Sequence, residues 1–402
     1  MIRFSFLLLV LLTVLTGCRQ EPEKSSAPPE PEPEHIDEGA ESTEPGMAYL
    51  YGQTDEIDIG FRNFFTTFGR TTTAADGSIE LISPASAVRF QARGGALHIR
   101  MRTPGNDHAY VLVTVNGEPE NKYKIKGKGL TAVEVGFEDE NTWYEIGIHK
   151  LTEAHNGAIV FIDADAQQIK ESVYKKDLQI EFIGNSITCG YGADTADIPC
   201  GTDVNYDQHN AWKGYAVQVA NSIDADYNLS AISGIGIYRN YRADRKEVMP
   251  DVYGNLYLDE GRRARWNQEG WDPDIVSVCL GTNDFSKGSD PENRAPFDPE
   301  KFTAAYIRFL EELDRRYPDA AFGLLTSPML DAEQNRILSD CLFRVKDHFG
   351  SSEVIEVFEF RDRYISGCAG HPDLKEHELM AQQLQPFYRS LLNNREGMPG
   401  EG

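Results

Sequence analysis

The sequence predicts an α/β protein: a three-layer α/β/α domain on a parallel sheet, preceded by an antiparallel β-sandwich of jelly-roll type. Three observations predict it. Residues 47–172 carry short runs of alternating apolar and polar residues, broken by turn clusters and without a strong helical pattern. Residues 173–395 alternate between short, densely apolar runs and segments of helical period. The chain has 402 residues, room enough for two such domains after an N-terminal stretch, 1–46, that shows neither pattern.

That N-terminal stretch begins as a targeting signal. Arg3 supplies the positive end, and "FSFLLLVLLTVL" is apolar but too short and too close to the start for a membrane span. It ends in Leu15-Thr16-Gly17-Cys18, which resembles the lipobox of bacterial lipoproteins. The resemblance implies removal of residues 1–17 and lipidation of Cys18, so that the chain is exported and meets the membrane through its lipid alone. Arg19, rather than aspartate, follows the cysteine, which permits an outer-membrane or cell-surface destination. Residues 19–46, rich in Pro, Glu and Ser, have little apolar surface to offset ordering and are expected to be a solvated tether. Residues 396–402 are expected to form a flexible tail.

A formal charge of −25 excludes nucleic acid and disfavours polyanionic substrates and anionic lipid surfaces. A neutral substrate is compatible with it. Of the five cysteines after Cys18, none shows the CxxC spacing of a zinc site. Cys189 with Cys200 and Cys341 with Cys368 are candidate disulfides, and Cys279, inside "DIVSVCLG", reads as a buried small apolar residue.

In the sandwich region the expected strands are "GALHIRMRT", "AYVLVTVNG", "TAVEVGF", "WYEIGIHKL" and "GAIVFIDA", with "TPGND" and "VNGEPEN" as turns. In the second region "LQIEFIG", "ADYNLSAIS", "DIVSVCLG", "AFGLLTS" and "EVIEVFEF" read as strands covered on both faces. Helices are expected between them. In "PEKFTAAYIRFLEELDRRYP", Phe302, Tyr306, Phe309, Leu310 and Leu313 recur at three- and four-residue spacing, Pro299 suits the start, and Pro318 ends the pattern. "AWKGYAVQVANSI" and "RILSDCLFRVKDHFG" behave similarly.

Functional groups of such sheets collect at the carboxyl ends of the strands. Four blocks lie there. In "GNSIT", Ser186 either caps a following helix or is held out as a nucleophile. It is not the centre of a GxSxG elbow, because Thr188 stands two residues on. In "SGIGIYRN", Gly234 and Gly236 are either loop glycines or points where backbone N–H groups approach a ligand. In "CLGTNDF", Asn283 is either turn chemistry or an amide donor. In "GCAGHPDLKEHELMAQQL", His371 is either a loop histidine or a base; His377, six residues on, does not share its helical face, which argues against a metal pair.

Acyl transfer needs a nucleophile, a base and donors for an oxyanion, and the four blocks offer these together. Their order and wording resemble the SGNH (GDSL-like) hydrolases. "GNSITCGYG", "SGIGIYRNY", "GTNDF" and "HPDLKEHELMA" look more narrowly like carbohydrate esterase family 2, and "YEIGIHKLTEAHNGAIVFIDAD" is similar to that family's interdomain junction. The resemblance spans roughly residues 47–395. It implies a jelly-roll domain fused to an SGNH domain that removes O-acetyl groups from polysaccharides such as xylan or glucomannan. Carried over, Ser186 is the nucleophile and His371 the base, and the N–H groups of Ser186 and Gly234 with the Asn283 amide form the oxyanion hole. No metal or organic cofactor is implied. Tyr191, Trp212 and Tyr238 are candidates for a sugar platform, with helix packing as the alternative for Trp212. The chain is expected as a monomer whose partner is the acetylated glycan.

Two departures from the family pattern stand out. Gly-Asn-Ser replaces the usual Gly-Asp-Ser at Asn185. The aspartate common two or three residues before the histidine is absent, Ala369 and Cys368 occupying those positions. Replacing a triad carboxylate by an amide that favours the wrong tautomer costs about 10⁴-fold. A dyad avoids this if a backbone carbonyl accepts the Nδ1–H of His371; Asp373 and Asp362 lack the expected spacing. Two rivals remain open: another SGNH esterase or acetyltransferase, and a glycan-binding lipoprotein whose catalytic centre has decayed.

Overall fold

The computed structural model describes residues 64–396 apart from 203, 260, 262, 263, 352 and 353. The signal, Cys18, the tether, the first residues of the expected sandwich and the tail from 397 onward lie outside the described residues.

The first half is a sandwich of two antiparallel sheets. One contains β1 (Thr66–Phe68), β4 (Ala87–Arg93), β6 (His108–Val115), β7 (Glu118–Lys126), β9 (Tyr144–Lys150) and β11 (Gln168–Glu171). Its order is β1-β4-β9-β6-β7, and β11 pairs with the part of β4 that β1 leaves free. The other contains β2 (Thr71–Thr73), β3 (Ile79–Leu81), β5 (Ala96–Arg102), β8 (Thr131–Gly136) and β10 (Ile159–Asp165), in the order β2-β3-β10-β5-β8. Strand alternation decides what meets between the sheets. In β5, Leu97, Ile99 and Met101 are fully buried, while His98 and Arg102 face solvent. Burying each such side chain contributes about 1.5–3 kcal/mol.

β6 is buried over almost its whole length because both of its faces are covered. Ala109, Val111 and Val113 join the sandwich core. Tyr110 and Leu112 turn the other way and pack with Leu151, Ile198 and Trp212. β7 corrects the sequence reading, which took "VNGEPEN" as a turn. Only Asn116 and Gly117 turn, both at positive φ, as a tight hairpin requires. From Glu118 the chain pairs with β6 as an edge strand whose side chains are mostly exposed, so its composition carries no strand signal. β4, buried along most of its length, was likewise not expected from the sequence.

The second half has five parallel strands: β12 (Leu178–Gly184), β13 (Ala225–Ala231), β14 (Ile275–Cys279), β15 (Ala321–Leu325) and β16 (Ile355–Phe358), in the order β13-β12-β14-β15-β16. Helices cover both faces. α1 (Tyr215–Ser222) and α6 (Leu374–Glu396) pack on the side of Ile180 and Phe182; α4 (Pro299–Arg316) and α5 (Ala332–Phe349) pack on the side of Ile183, Val276 and Val278. Two short helices, α2 (Met249–Val252) and α3 (Thr282–Phe285), lie in the connections. α4 starts where the sequence places it: Asp298 caps the Lys301 N–H and Pro299 is the first helical residue.

A buried arginine ties the halves together. Arg70, fully buried beside β2, donates to the Ser230 hydroxyl of β13 (2.8 and 3.1 Å) and to the carbonyls of Tyr253 (2.9 Å) and Asn255 (2.7 Å). Ser230 in turn donates to Glu181 of β12, which also accepts from Asn228 and Trp271. Burial pulls the Arg70 guanidinium down to about 10 and pushes the Glu181 carboxyl up; each opposes the other's shift. Replacing one partner strands the other in a desolvated site, so Arg70→Met should lower unfolding free energy by about 3–5 kcal/mol. Urea denaturation measures this; a loss under about 1 kcal/mol would count against a structural role for the network.

Candidate active site

β12 pairs in register with both neighbours: Gly184 stands opposite Ala231 of β13 and Cys279 of β14. The three strands therefore end at one level, and Ser186, Gly234 and Asn283 follow those ends within a few residues.

After Gly184 the chain makes a string of turns instead of a helix. The Asn185 side chain accepts the Ile187 N–H (3.1 Å), the Cys189 N–H reaches the Asn185 carbonyl (3.1 Å), and the Tyr191 N–H reaches the Ser186 carbonyl (3.0 Å). No helix follows for Ser186 to cap. Its hydroxyl lies 2.8 Å from His371 Nε2.

His371 is carried on a tight loop. The Gly367 N–H donates to the His371 carbonyl (2.7 Å), and Ala369 adopts a left-handed conformation, φ 53°, unusual for a residue with a Cβ. The Cys368 N–H donates to the carbonyl of Gly192 (2.9 Å). Gly192, at φ 64°, permits that approach, since a Cβ there would stand 2.8 Å from the Cys368 Cβ. His371 Nδ1 lies 3.3 Å from the Cys368 carbonyl. With Nδ1–H aimed at that oxygen, Nε2 is left with a free lone pair toward Ser186. Burial holds the imidazole below its ordinary value, and the Cys368 carbonyl pulls the other way. Asp373 is engaged elsewhere: it caps the Glu376 N–H at the start of α6 (2.8 Å).

Gly234 sits at φ 79°, with its carbonyl accepting the Tyr241 N–H (2.8 Å). Among the described residues, neither the Ser186 N–H nor the Gly234 N–H donates a hydrogen bond. Asn283, on α3, donates from Nδ2 to the carbonyl of Ile235 (2.8 Å), leaving its second N–H available. The next residue, Asp284, is fully buried and accepts from the consecutive N–H groups of Ile237, Tyr238 and Arg239 (3.0–3.2 Å). Burial pushes its carboxyl up to about 6, against those donors. Asp284 locks the glycine loop to α3. It stood in the quoted "GTND" block, but the sequence reading gave it no role. Glu153, discussed below, was missed in the same way.

The three aromatic candidates separate. The Tyr191 ring lies tilted between those of His371 and His209, with centroids 4.5 and 4.4 Å away. Tyr238 does not join them: its hydroxyl accepts the Asp298 N–H at the start of α4, and its ring meets Phe297 and Phe302 edge-on. Trp212 packs beneath the sandwich and lines a cavity of about 580 Å³ with His149 and Tyr227, whose lining includes neither Ser186 nor His371. Beside Ser233 a shallow cavity of about 710 Å³ opens, lined among others by His155, Arg242, Asp244, Arg245 and Tyr257, and again by neither Ser186 nor His371. His377 is a core residue whose Nδ1 accepts the Tyr215 N–H (3.2 Å).

Both expected disulfides are corrected. Cys200 bonds Cys368, with Cα atoms 5.4 Å apart. Cys189 is fully buried in the turn after β12, and Cys341 sits on the buried face of α5, so neither reaches a surface partner. Cys279 is buried in β14, as expected. The disulfide thus anchors the residue whose carbonyl faces His371.

The chain matches the GDSL-like Lipase/Acylhydrolase family over residues 182–350 and the carbohydrate esterase 2 N-terminal family over residues 67–172. The second match makes the carbohydrate esterase 2 domain the partner of a GDSL-like, or SGNH, hydrolase domain. That N-terminal domain sets the chain among the family 2 carbohydrate esterases. It is 30% identical over 307 residues to the cellulase/esterase CelE of Acetivibrio thermocellus, covering 74% of this chain but only 36% of that protein. It is 23% identical over 328 residues to an acetylxylan esterase / glucomannan deacetylase of Cellvibrio japonicus, covering 81% and 88%. A family two carbohydrate esterase from Clostridium thermocellum, solved in complex with cellohexaose, superposes with a TM-score of 0.72 at 25% identity, covering 82% of this chain and 99% of that one.

Peptide mapping without reductant should recover Cys200 linked to Cys368, with Cys189, Cys279 and Cys341 alkylated only after denaturation. The bridge spans 168 residues, so its reduction should destabilise the fold by about 4–5 kcal/mol. Fragments joined through Cys189 or Cys341 would contradict the assignment.

Proposed function

We propose that this chain is a carbohydrate esterase that removes O-acetyl groups from acetylated polysaccharide of the xylan or glucomannan type, through an acetyl-enzyme on Ser186. The observation that carries the reading is the 2.8 Å contact between His371 Nε2 and the Ser186 hydroxyl, with Nδ1 facing a backbone carbonyl. The named activities of the Cellvibrio japonicus relative support the substrate class.

His371 Nε2 takes the Ser186 proton as Oγ attacks the acetyl carbonyl carbon. The Nδ1–H bond to the Cys368 carbonyl keeps Nε2 the basic nitrogen. The oxyanion receives the N–H groups of Ser186 and Gly234 and the free N–H of Asn283. Collapse breaks the acyl–oxygen bond, and Nε2–H protonates the departing sugar oxygen. Water, deprotonated by the same nitrogen, attacks the acetyl carbon; the bond from that carbon to Ser186 Oγ breaks, Nε2–H returns its proton to Oγ, and acetate leaves. In this reading Tyr191, its ring 4.5 Å from that of His371, contacts the sugar. No cofactor enters these steps. The reading includes export and anchoring through a lipid on Cys18, on the strength of the apolar leader and lipobox; among the described residues no helix is long and apolar enough to cross a membrane.

The test is acetate release from acetylated xylan and glucomannan, with Ser186→Ala as control. Protein that binds the glycan yet releases no acetate would be a binder instead. Asn283→Ala should lower kcat by about 10²–10³, or 2.7–4 kcal/mol, with a much smaller change in KM. Equal losses in both would remove Asn283 from the oxyanion hole.

The pH profile follows from His371, which must be neutral to act as a base. Its pKa is held down, so the neutral form persists to lower pH. The acid limb of kcat/KM should therefore fall below the ordinary histidine value of about 6.5. A limb above that value would point to a carboxylate partner that the site lacks.

A further inference from the structure

The loop after β9 leaves the sandwich and enters the second domain. Its course is fixed on both sides: the buried Lys150 ammonium donates to the carbonyls of Thr152 and Glu153 (2.7 Å each), and the Leu151 carbonyl accepts the Ala211 N–H (3.1 Å). A turn of 3-10 helix, Ala154–Asn156, follows. Glu153 is fully buried. Its carboxylate accepts the backbone N–H of Ser233 (2.7 Å) and the Ser233 hydroxyl. His155 Nδ1 stands 3.2 Å from it and His209 Nδ1 3.6 Å. Burial alone would raise the Glu153 carboxyl, but the two histidines and the Ser233 donors outweigh it and hold it below its ordinary value.

Ser233 immediately precedes Gly234. The peptide plane that bears the Gly234 N–H turns about the Ser233 dihedrals. Glu153 fixes the N–H and the side chain of Ser233, and the Tyr241 N–H fixes the Gly234 carbonyl on the far side. The Gly234 N–H is thereby held from both ends, and it has no partner of its own among the described residues. A buried carboxylate from another domain is a costly means of holding an ordinary loop, since burying such a charge is unfavourable unless its partners compensate. It suits a donor that must be aimed before the charge develops.

We propose that Glu153 is a positioning residue for the ester-hydrolysis site, contributed by the β-sandwich, that pre-orients the Gly234 N–H through Ser233. The inference rests on the esterase reading above. It assigns the first domain a share in transition-state stabilisation.

The test compares wild type, Glu153→Met, Glu153→Gln and Ser233→Ala in the full chain. Two readouts are used: kcat and KM on a chromogenic acetate, and the rate at which a fluorophosphonate labels Ser186, which also builds negative charge on an oxygen. Glu153→Met keeps the volume and deletes both acceptors; kcat and the labelling rate should each fall about tenfold or more, with KM within about twofold. Glu153→Gln keeps one acceptor for the Ser233 N–H and should recover part of that loss. A merely structural role would lower the melting temperature without this split or this ranking. Folded Glu153→Met protein with wild-type kcat, or a loss confined to KM, overturns the proposal. Should Glu153→Met fail to fold, Ser233→Ala decides: a several-fold drop in kcat at constant KM supports it, and unchanged kcat overturns it. Wild-type protein inert to both reagents overturns the esterase reading and this inference together, whereas active wild type with unaffected variants overturns the inference alone.

Discussion

The site depends first on the register of three parallel strands. β12 lies between β13 and β14 and pairs with both so that Gly184, Ala231 and Cys279 are level. A slip of one residue would turn Phe182 and Ile183 to the wrong faces of the sheet, so burial on both sides specifies the register strongly. The polar cluster of Glu181, Asn228 and Ser230 reinforces it, because these side chains bond across β12 and β13 only in one alignment. Once the strand ends are level, Ser186, Gly234 and Asn283 fall on neighbouring loops, and short backbone tethers complete their placement.

The sandwich is joined to this arrangement by buried polar contacts as well as by apolar packing. Arg70 reaches Ser230, Arg89 pairs with Asp226 at 2.8 Å, and Glu153 reaches Ser233. Ser230 and Asp226 lie on β13, and Ser233 lies just beyond its end. β13 therefore receives two of these directed contacts from the first domain, and the loop just past its end the third. Apolar packing tolerates sliding; charged hydrogen bonds between buried groups do not, because displacement leaves both partners unsatisfied. The consequence is a rigid placement of β13 and of the glycine loop at its carboxyl end.

The sequence reveals the parts of this molecule that are local. Strand β12 was legible over its whole length because it is buried on both faces, and α4 because Asp298, Pro299 and the apolar spacing agree. The four site blocks were legible because strand ends in parallel sheets gather functional residues. What escaped was set by distant partners. β7 is a strand only because β6 lies beside it, and its own residues, "EPENKYKIK", are polar. The Cys200–Cys368 pairing joins loops 168 residues apart, a distance over which spacing carries no information. Glu153 and Asp284 look like ordinary acidic residues until burial shows that each accepts backbone N–H groups from the same loop.

The absent aspartate before His371 acquires a physical meaning in this setting. A carboxylate at Nδ1 fixes the tautomer and also stabilises the imidazolium that forms during reaction. The Cys368 carbonyl can fix the tautomer, and three constraints hold it there: the disulfide on its side chain, its N–H bond to Gly192, and the left-handed Ala369 that turns the chain back. It brings a dipole and no net charge, so the imidazolium gains less. Under the proposed chemistry, more of the barrier reduction then falls to the oxyanion donors. Two buried carboxylates stand on that side of the site, Asp284 behind the N–H groups of residues 237–239 and Glu153 behind Ser233. These two carboxylates thus stiffen backbone donors and do not support the base. For a group whose basicity is already lowered by burial, tighter donors are the remaining means of lowering the barrier without raising the pH at which the histidine becomes neutral.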